Sequence, residues 1–423
     1  MGFKVQPLAE NYIKIFESPD PKNIYCYSPG IAVLNNGQLI ATLDLGGPGV
    51  QNISGSVDRE GKKGRYVLGK ALISMDKGKN WNPCTDFPFY HARPFIAGKS
   101  LYIIGHLGDL TIIRSDDDGK TWTNPIKLTE GEEWHQAPSN VHYANGNVYL
   151  VMEKVCYNDV DGWPVSAMAP VLIRGKIGDD LTKKENWTFA SELVFRDAVK
   201  QEQIEYLPIP FYKTSPKKRS EVFNERGCAP IGWLETNVVQ FVDTKHYFYD
   251  PTGHTFHMWM RAHTGGTGFA AIAKAIENDD GTIITMLEEV PSSKKIVYVP
   301  CPGGQMKFHI LYDEITKLYW LLSSQATDSM TRADLLPPDR FDLPNNERHR
   351  LQLHFSKNCI DWCFAGIVDI GYSFKHSRHY ASMIIDGQDL YIASRTGDGF
   401  NKSAHDTNLI TLHVVNGFRD LVY

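Results

Sequence analysis

Two short stretches of the chain follow one pattern: Ser74-Met75-Asp76-Lys77-Gly78-Lys79-Asn80-Trp81 and Ser115-Asp116-Asp117-Asp118-Gly119-Lys120-Thr121-Trp122, both Ser-x-Asp-x-Gly-x-x-Trp. The pattern has the chemistry of a tight hairpin turn. Ser and Asp side chains bond the turn's own backbone amides, Gly supplies a positive φ, and Trp folds back as an apolar anchor between neighbouring sheets. Each copy closes a run of alternating apolar residues, Leu68 to Ser74 and Leu110 to Arg114. A chain that repeats such a unit buries its sheet faces by stacking one copy on the next.

The unit is an apolar strand, a small turn, a second strand and a third strand leading into the Trp-bearing turn. The first spans Gly30 to Leu34, Gln38 to Leu43 and Leu68 to Ser74; the second spans Arg93 to Phe95, Leu101 to Ile104 and Leu110 to Arg114. Weaker copies start at Asn140 and Asn237, and another holds Leu318 to Leu322 and Leu351 to Phe355. That fifth copy ends in a degraded turn, Ser356-Lys357-Asn358-Cys359-Ile360-Asp361-Trp362, one residue short. A sixth holds Ala381 to Ile385 and Leu390 to Ala393. Six units of four strands predict an all-β, six-bladed β-propeller over residues 1–423 as a single domain, with insertions near 196–230 and 324–349. Pairing of Tyr12 to Phe16 with Leu409 to Val414 is expected to close the ring and hide its edges. The 20 Tyr, 20 Phe, 9 Trp, 35 Gly and 23 Pro suit many short strands.

A formal charge of −5 provides no basic field for nucleic acid, which is not expected as a partner. Apolar runs of membrane-spanning length are absent, so no membrane partner is expected either. Met1 to Pro7 lacks the layout of a leader, which points to the cytoplasm, or to a periplasmic or secreted protein if a leader has been removed. Seven scattered cysteines lack C-x-x-C pairs and read as thiols. With no G-x-G-x-x-G after a strand, no P-loop and no H-E-x-x-H, neither cofactor nor metal is expected.

The two turns resemble the Asp-boxes of the sialidase superfamily, and the resemblance extends weakly over most of the chain. Leu234-Glu235-Thr236-Asn237-Val238-Val239-Gln240 resembles the family segment whose Glu polarises a catalytic Tyr, and Tyr380-Ala381-Ser382-Met383 resembles the segment carrying that nucleophile. Arg261 and Arg348 fall where the second and third arginines of the family's carboxylate-binding triad are expected. The resemblance implies an exo-acting glycosidase, with Tyr380 as nucleophile, Glu235 as its base, and Asp58 or Asp44 as the acid. This chemistry is coherent. A phenol with a pKa near 10 needs a carboxylate to take its proton, and arginine grips a carboxylate through paired hydrogen bonds that lysine cannot reproduce.

Departures from the family are as informative. Where sialidases open the first blade with Arg-Ile-Pro, this chain has Tyr27-Ser28-Pro29, so Tyr27 replaces the first arginine. Arg93 stands where the family has an Asp at the N-acyl pocket, with His91 beside it. These changes point away from N-acetylneuraminic acid and towards another acidic sugar, with carbohydrate as the partner. A rival reading takes His91, His135 or His379, with Arg378 beside Tyr380, as the machinery of a uronate lyase or a histidine-dependent glycosidase. A third is a glycan-binding propeller without catalysis. Arg395-Thr396-Gly397-Asp398 reads as a turn salt bridge.

Overall fold

The computed structural model describes residues 5–9, 11–59, 65–200, 215–223, 226–228, 230–264, 266–329, 331–337 and 347–423. Six antiparallel sheets form the blades of a propeller, each running from an inner strand at the axis to an outer strand at the rim. The inner strands are Tyr25–Val33, Tyr90–Ala97, Gly232–Val239, His309–Asp313 and Arg378–Asp386 in blades 1, 2, 4, 5 and 6. Blade 3 has a broken inner edge, Trp134–His135 and His142–Ala144, both paired to Asn147–Val155.

The ring closes as the sequence predicts. Tyr12–Glu17 pairs antiparallel with Leu409–Val415 as the outermost strand of blade 6. Six large apolar clusters fill the six gaps between successive blades, so each sheet is buried against both neighbours. The sequence pattern missed Phe269–Glu277 in blade 4 and His309–Asp313 in blade 5. Phe269–Glu277 is rich in alanine, which has no strand preference, and takes its conformation from pairing with Thr255–His263. Of the two expected insertions, residues 201–214 and 338–346 lie outside the described residues. Among the described residues no helix is long and apolar enough to cross a membrane.

Both Trp-bearing turns form the same hydrogen bonds. Ser74 and Ser115 Oγ accept from the amides of Gly78 and Gly119 at 2.8 and 2.9 Å. Asp76 and Asp117 accept from the amides of Asn80 and Thr121 at 2.9 and 2.8 Å, and each Trp Nε1 donates to the turn's Gly carbonyl at 3.0 Å. Trp81 packs into the cluster between blades 6 and 1, and Trp122 into that between blades 1 and 2. In the degraded turn Asn358 takes the Asp role towards the amides of Ile360 and Asp361, and Cys359 adopts the left-handed backbone, φ 58°.

A second repeated device lies at the axis. In four blades the inner strand carries a β-bulge with a non-glycine residue in the left-handed region: Ser28 (φ 50°), His91 (55°), Glu235 (58°) and Tyr380 (52°). Such a backbone costs on the order of 1–3 kcal/mol per residue and persists where the surrounding sheet enforces it. All four bulges fall near the start of their strands, so one end of the channel collects all four residues.

Candidate active site

The bulges open into a cavity of about 800 Å3 at the end of the channel where the inner strands begin. Of the residues singled out from the sequence, Tyr27, Asp44, His91, His135, Glu235, Arg261, Arg348 and Tyr380 line it. Asp58, Arg93, Arg378 and His379 do not. Asp58 is exposed in a two-residue strand, and Arg93 lies deeper on the axis, donating to the carbonyls of Asn140 and Val151. Arg378 is tied to Asp369 and to the carbonyls of Ser377 and Gly397. His379 is fully buried, its Nδ1 3.1 Å from Nη1 of Arg348.

Tyr380 is the centre of the cavity's charge. Arg261 Nη1 donates to its phenol oxygen at 2.7 Å, and the same nitrogen lies 3.2 Å from Glu235 Oε2. Burial raises the phenol's pKa, Arg261 and Arg348 oppose that rise, and Glu235 adds to it. The phenol is therefore protonated at rest.

Three guanidinium groups surround the ring. Those of Arg261, Arg348 and Arg395 lie 6.0, 5.6 and 5.3 Å from its centroid. The reading of Arg395 as part of a turn salt bridge is therefore corrected. It sits in the strand Asp389–Thr396, only 3 % exposed, and donates to the carbonyl of His405. Among the described residues no carboxylate forms an ion pair with Arg348 or Arg395, and burial lowers the pKa of both. Arg395 stands 4.1 Å above the ring of Tyr27, whose hydroxyl donates to Asp406 at 2.7 Å. The place of the missing blade 1 arginine is thus taken by a tyrosine that carries a blade 6 arginine on its face. No motif marks Arg395. The signal available in the sequence was a charged residue at the end of an apolar inner-sheet run.

Asp44 faces the cavity from the second strand of blade 1. It is 3 % exposed and accepts from the amide of His91 at 3.0 Å. Burial pushes its carboxyl up to about 6, against hydrogen bonds from His91 and Ser28 and the charges of Arg395 and Arg59. Across the cavity the rings of His91 and His135 are 5.1 Å apart, and His91 Nδ1 is 3.0 Å from His106 Nε2. Among the described residues no group of His, Cys, Asp and Glu is arranged to hold a metal ion. Trp163, from a blade 3 loop, covers Arg261 at 5.3 Å and meets His263 edge-on.

No protein-family model matches the chain, and no curated protein matches it significantly. Solved structures do match. A Hadza microbial sialidase aligns with a TM-score of 0.54 at 14 % identity, over 96 % of this chain and 68 % of its own. An α-L-arabinanase of Penicillium chrysogenum aligns at 0.52 and 12 % identity, over 98 % and 100 %. A mutant Trypanosoma rangeli sialidase displaying trans-sialidase activity aligns at 0.51 and 11 % identity, over 98 % of this chain and 59 % of its own. These likenesses establish the architecture, a six-bladed propeller of the sialidase-like kind.

Proposed function

We propose that this propeller is an exo-acting glycoside hydrolase for a sugar that carries a carboxylate, using a tyrosine nucleophile. The observation that supports it most directly is the surround of Tyr380. Three buried guanidinium groups face one phenol, and two of them have no ion-paired carboxylate among the described residues. A buried cation without a counter-charge costs several kcal/mol, and a bound carboxylate removes that cost. Sialidases and arabinan-cleaving enzymes among the structural neighbours share the propeller scaffold.

In this reading Arg261, Arg348 and Arg395 hold the substrate's carboxylate. Tyr380 attacks the anomeric carbon as Glu235 takes its proton, and Arg261 stabilises the developing phenolate. Asp44, whose buried carboxyl keeps its proton up to about pH 6, protonates the leaving oxygen. The change at Tyr27 and Arg395 alters the carboxylate clamp, in keeping with an acidic sugar other than N-acetylneuraminic acid. The test is a panel of 4-methylumbelliferyl glycosides of sialic, ulosonic and uronic acids. At least one is expected to be hydrolysed by the native protein, with kcat/KM at least about 100-fold lower in Tyr380→Phe. Hydrolysis of none, or full activity in Tyr380→Phe, overturns the assignment.

His91 and His135 in the same cavity support a second reading, β-elimination from a uronate with a histidine as base. It predicts an unsaturated product that absorbs in the ultraviolet.

A further inference from the structure

The inner strands that begin at the active site run on into a second cavity, of about 470 Å3, at the other end of the channel. Its walls are apolar: Ile31, Val33, Phe95, Val141, Leu311 and Met383 among others, from blades 1, 2, 3, 5 and 6. Its inner end is polar, with Arg93, His309 and Ser382 lining it.

This inner end carries a buried positive charge on Arg93. Arg93 is 2 % exposed; both its Nη atoms donate to carbonyls, and its Nε has no partner among the described residues. Behind it Lys307, 1 % exposed, donates to the carbonyl of Ala381 at 2.5 Å and to Ser382 Oγ at 2.9 Å. Among the described residues neither side chain forms an ion pair, and burial lowers the Lys307 pKa to about 7, which leaves Arg93 as the standing charge. The carboxylate whose charge acts on Arg93 is Glu153, whose own pKa burial pushes up to about 7. His309, 4 % exposed, has no partner among the described residues for either ring nitrogen.

We infer that this cavity is a ligand site separate from the active site, and that its ligand is a small apolar carboxylic acid: the carboxylate against Arg93 and His309, the hydrocarbon along the apolar walls. Water meets the hydrogen-bonding needs of Arg93 Nε and His309 but leaves the charge unbalanced. A bare inorganic ion balances the charge but covers none of the apolar wall, and the volume lies within the usual range for small-molecule pockets. Charge and wall together select an amphiphilic anion.

The probes are sodium octanoate, octan-1-ol and sodium chloride, added to the full chain labelled at its methionine methyl groups. Met383 lines the cavity and reports occupancy by NMR. Octanoate is expected to shift the Met383 resonance saturably, with octanol at least tenfold weaker. Val33→Trp and Val141→Trp, each filling the cavity from a different blade, are expected to weaken octanoate binding at least tenfold. Tyr380→Phe should leave it unchanged. If one tryptophan variant fails to fold, the other decides. The inference is overturned if octanoate gives no saturable shift, if octanol binds equally, if neither tryptophan weakens binding, or if chloride alone reproduces the octanoate shift.

Discussion

Glu235 and Tyr380 stand on different blades yet share one backbone conformation, φ 58° and 52°, at equivalent bulges of their inner strands. The two bulges bring a carboxylate and a phenol to one Arg261 nitrogen. Strain of this kind has a direct test. Glu235→Gly relaxes the backbone and is expected to unfold at higher urea than Glu235→Val, whose branched side chain resists a positive φ. A difference of about 2 kcal/mol between the two variants is expected, and equal stabilities would show that the bulge stores no strain.

Arg395 gives the second prediction. Arg395→Lys keeps the charge but loses the planar fork, and is expected to reduce kcat/KM on the acidic glycoside about 10- to 100-fold. Tyr27→Phe, which removes the bond to Asp406 and keeps the ring beneath the guanidinium, should cost less. Steady-state kinetics of the two variants give the order.

Asp44 sets an expected pH profile. In the proposed role of acid it acts only when protonated, and burial holds its pKa at about 6. Activity should therefore fall as pH rises through about 6. Asp44→Asn should abolish that limb and lower kcat/KM by about 10²- to 10⁴-fold, as read from rate profiles between pH 4 and 8.

Glu153 makes the same kind of statement about stability. Its Oε1 accepts from the amide and hydroxyl of Thr236 at 3.0 and 2.7 Å, its Oε2 has no partner among the described residues, and burial raises its pKa from 4.5 to about 7. The folded state thus holds its proton more tightly than the unfolded one. This stabilisation is fully present below about pH 4.5 and is lost as pH rises through about 7, amounting to on the order of 3 kcal/mol. Glu153→Gln is expected to flatten the Tm profile in this window relative to the native protein.

Ser115→Ala tests the scaffold apart from the chemistry. It removes the acceptor for the Gly119 amide and the donor to Asp117. A loss of about 1–2 kcal/mol by urea denaturation is expected, with unchanged KM, because the turn is at the rim.

The parts legible in the sequence were those governed by local rules. The turns at Ser74 and Ser115, the alternating strands and the pairing of Tyr12 to Phe16 with Leu409 to Val414 follow from side-chain period and turn chemistry, and the six-bladed propeller follows from their repetition. Glu235, Arg261, Arg348 and Tyr380 were found by resemblance, and the structure brings them into one cavity. Arg395 was missed because its role depends on Tyr27, which is distant in sequence and adjacent in space. Arg93 and His379 lie near cavity residues in sequence but not in the cavity. The bulge at His91 reverses the alternation between them, and burial of His379 behind Arg348 has no local signature. The four left-handed positions themselves are not glycines, the residue type that marks such a backbone in a sequence.

The pairing of Tyr12–Glu17 with Leu409–Val415 also fixes when the cavity can be complete. Tyr380 and Arg395 belong to the blade that this pairing completes, while Tyr27 and Asp44 belong to the blade made first. A ribosome-bound chain that has not yet produced residues 409–415 therefore holds an open ring. The segment Tyr12–Glu17 must wait unpaired through most of translation, and the apolar face that the first blade turns to the last stays uncovered, before the two halves of the cavity meet. Pairing over so long a stretch of sequence makes ring closure the slow, late event of folding.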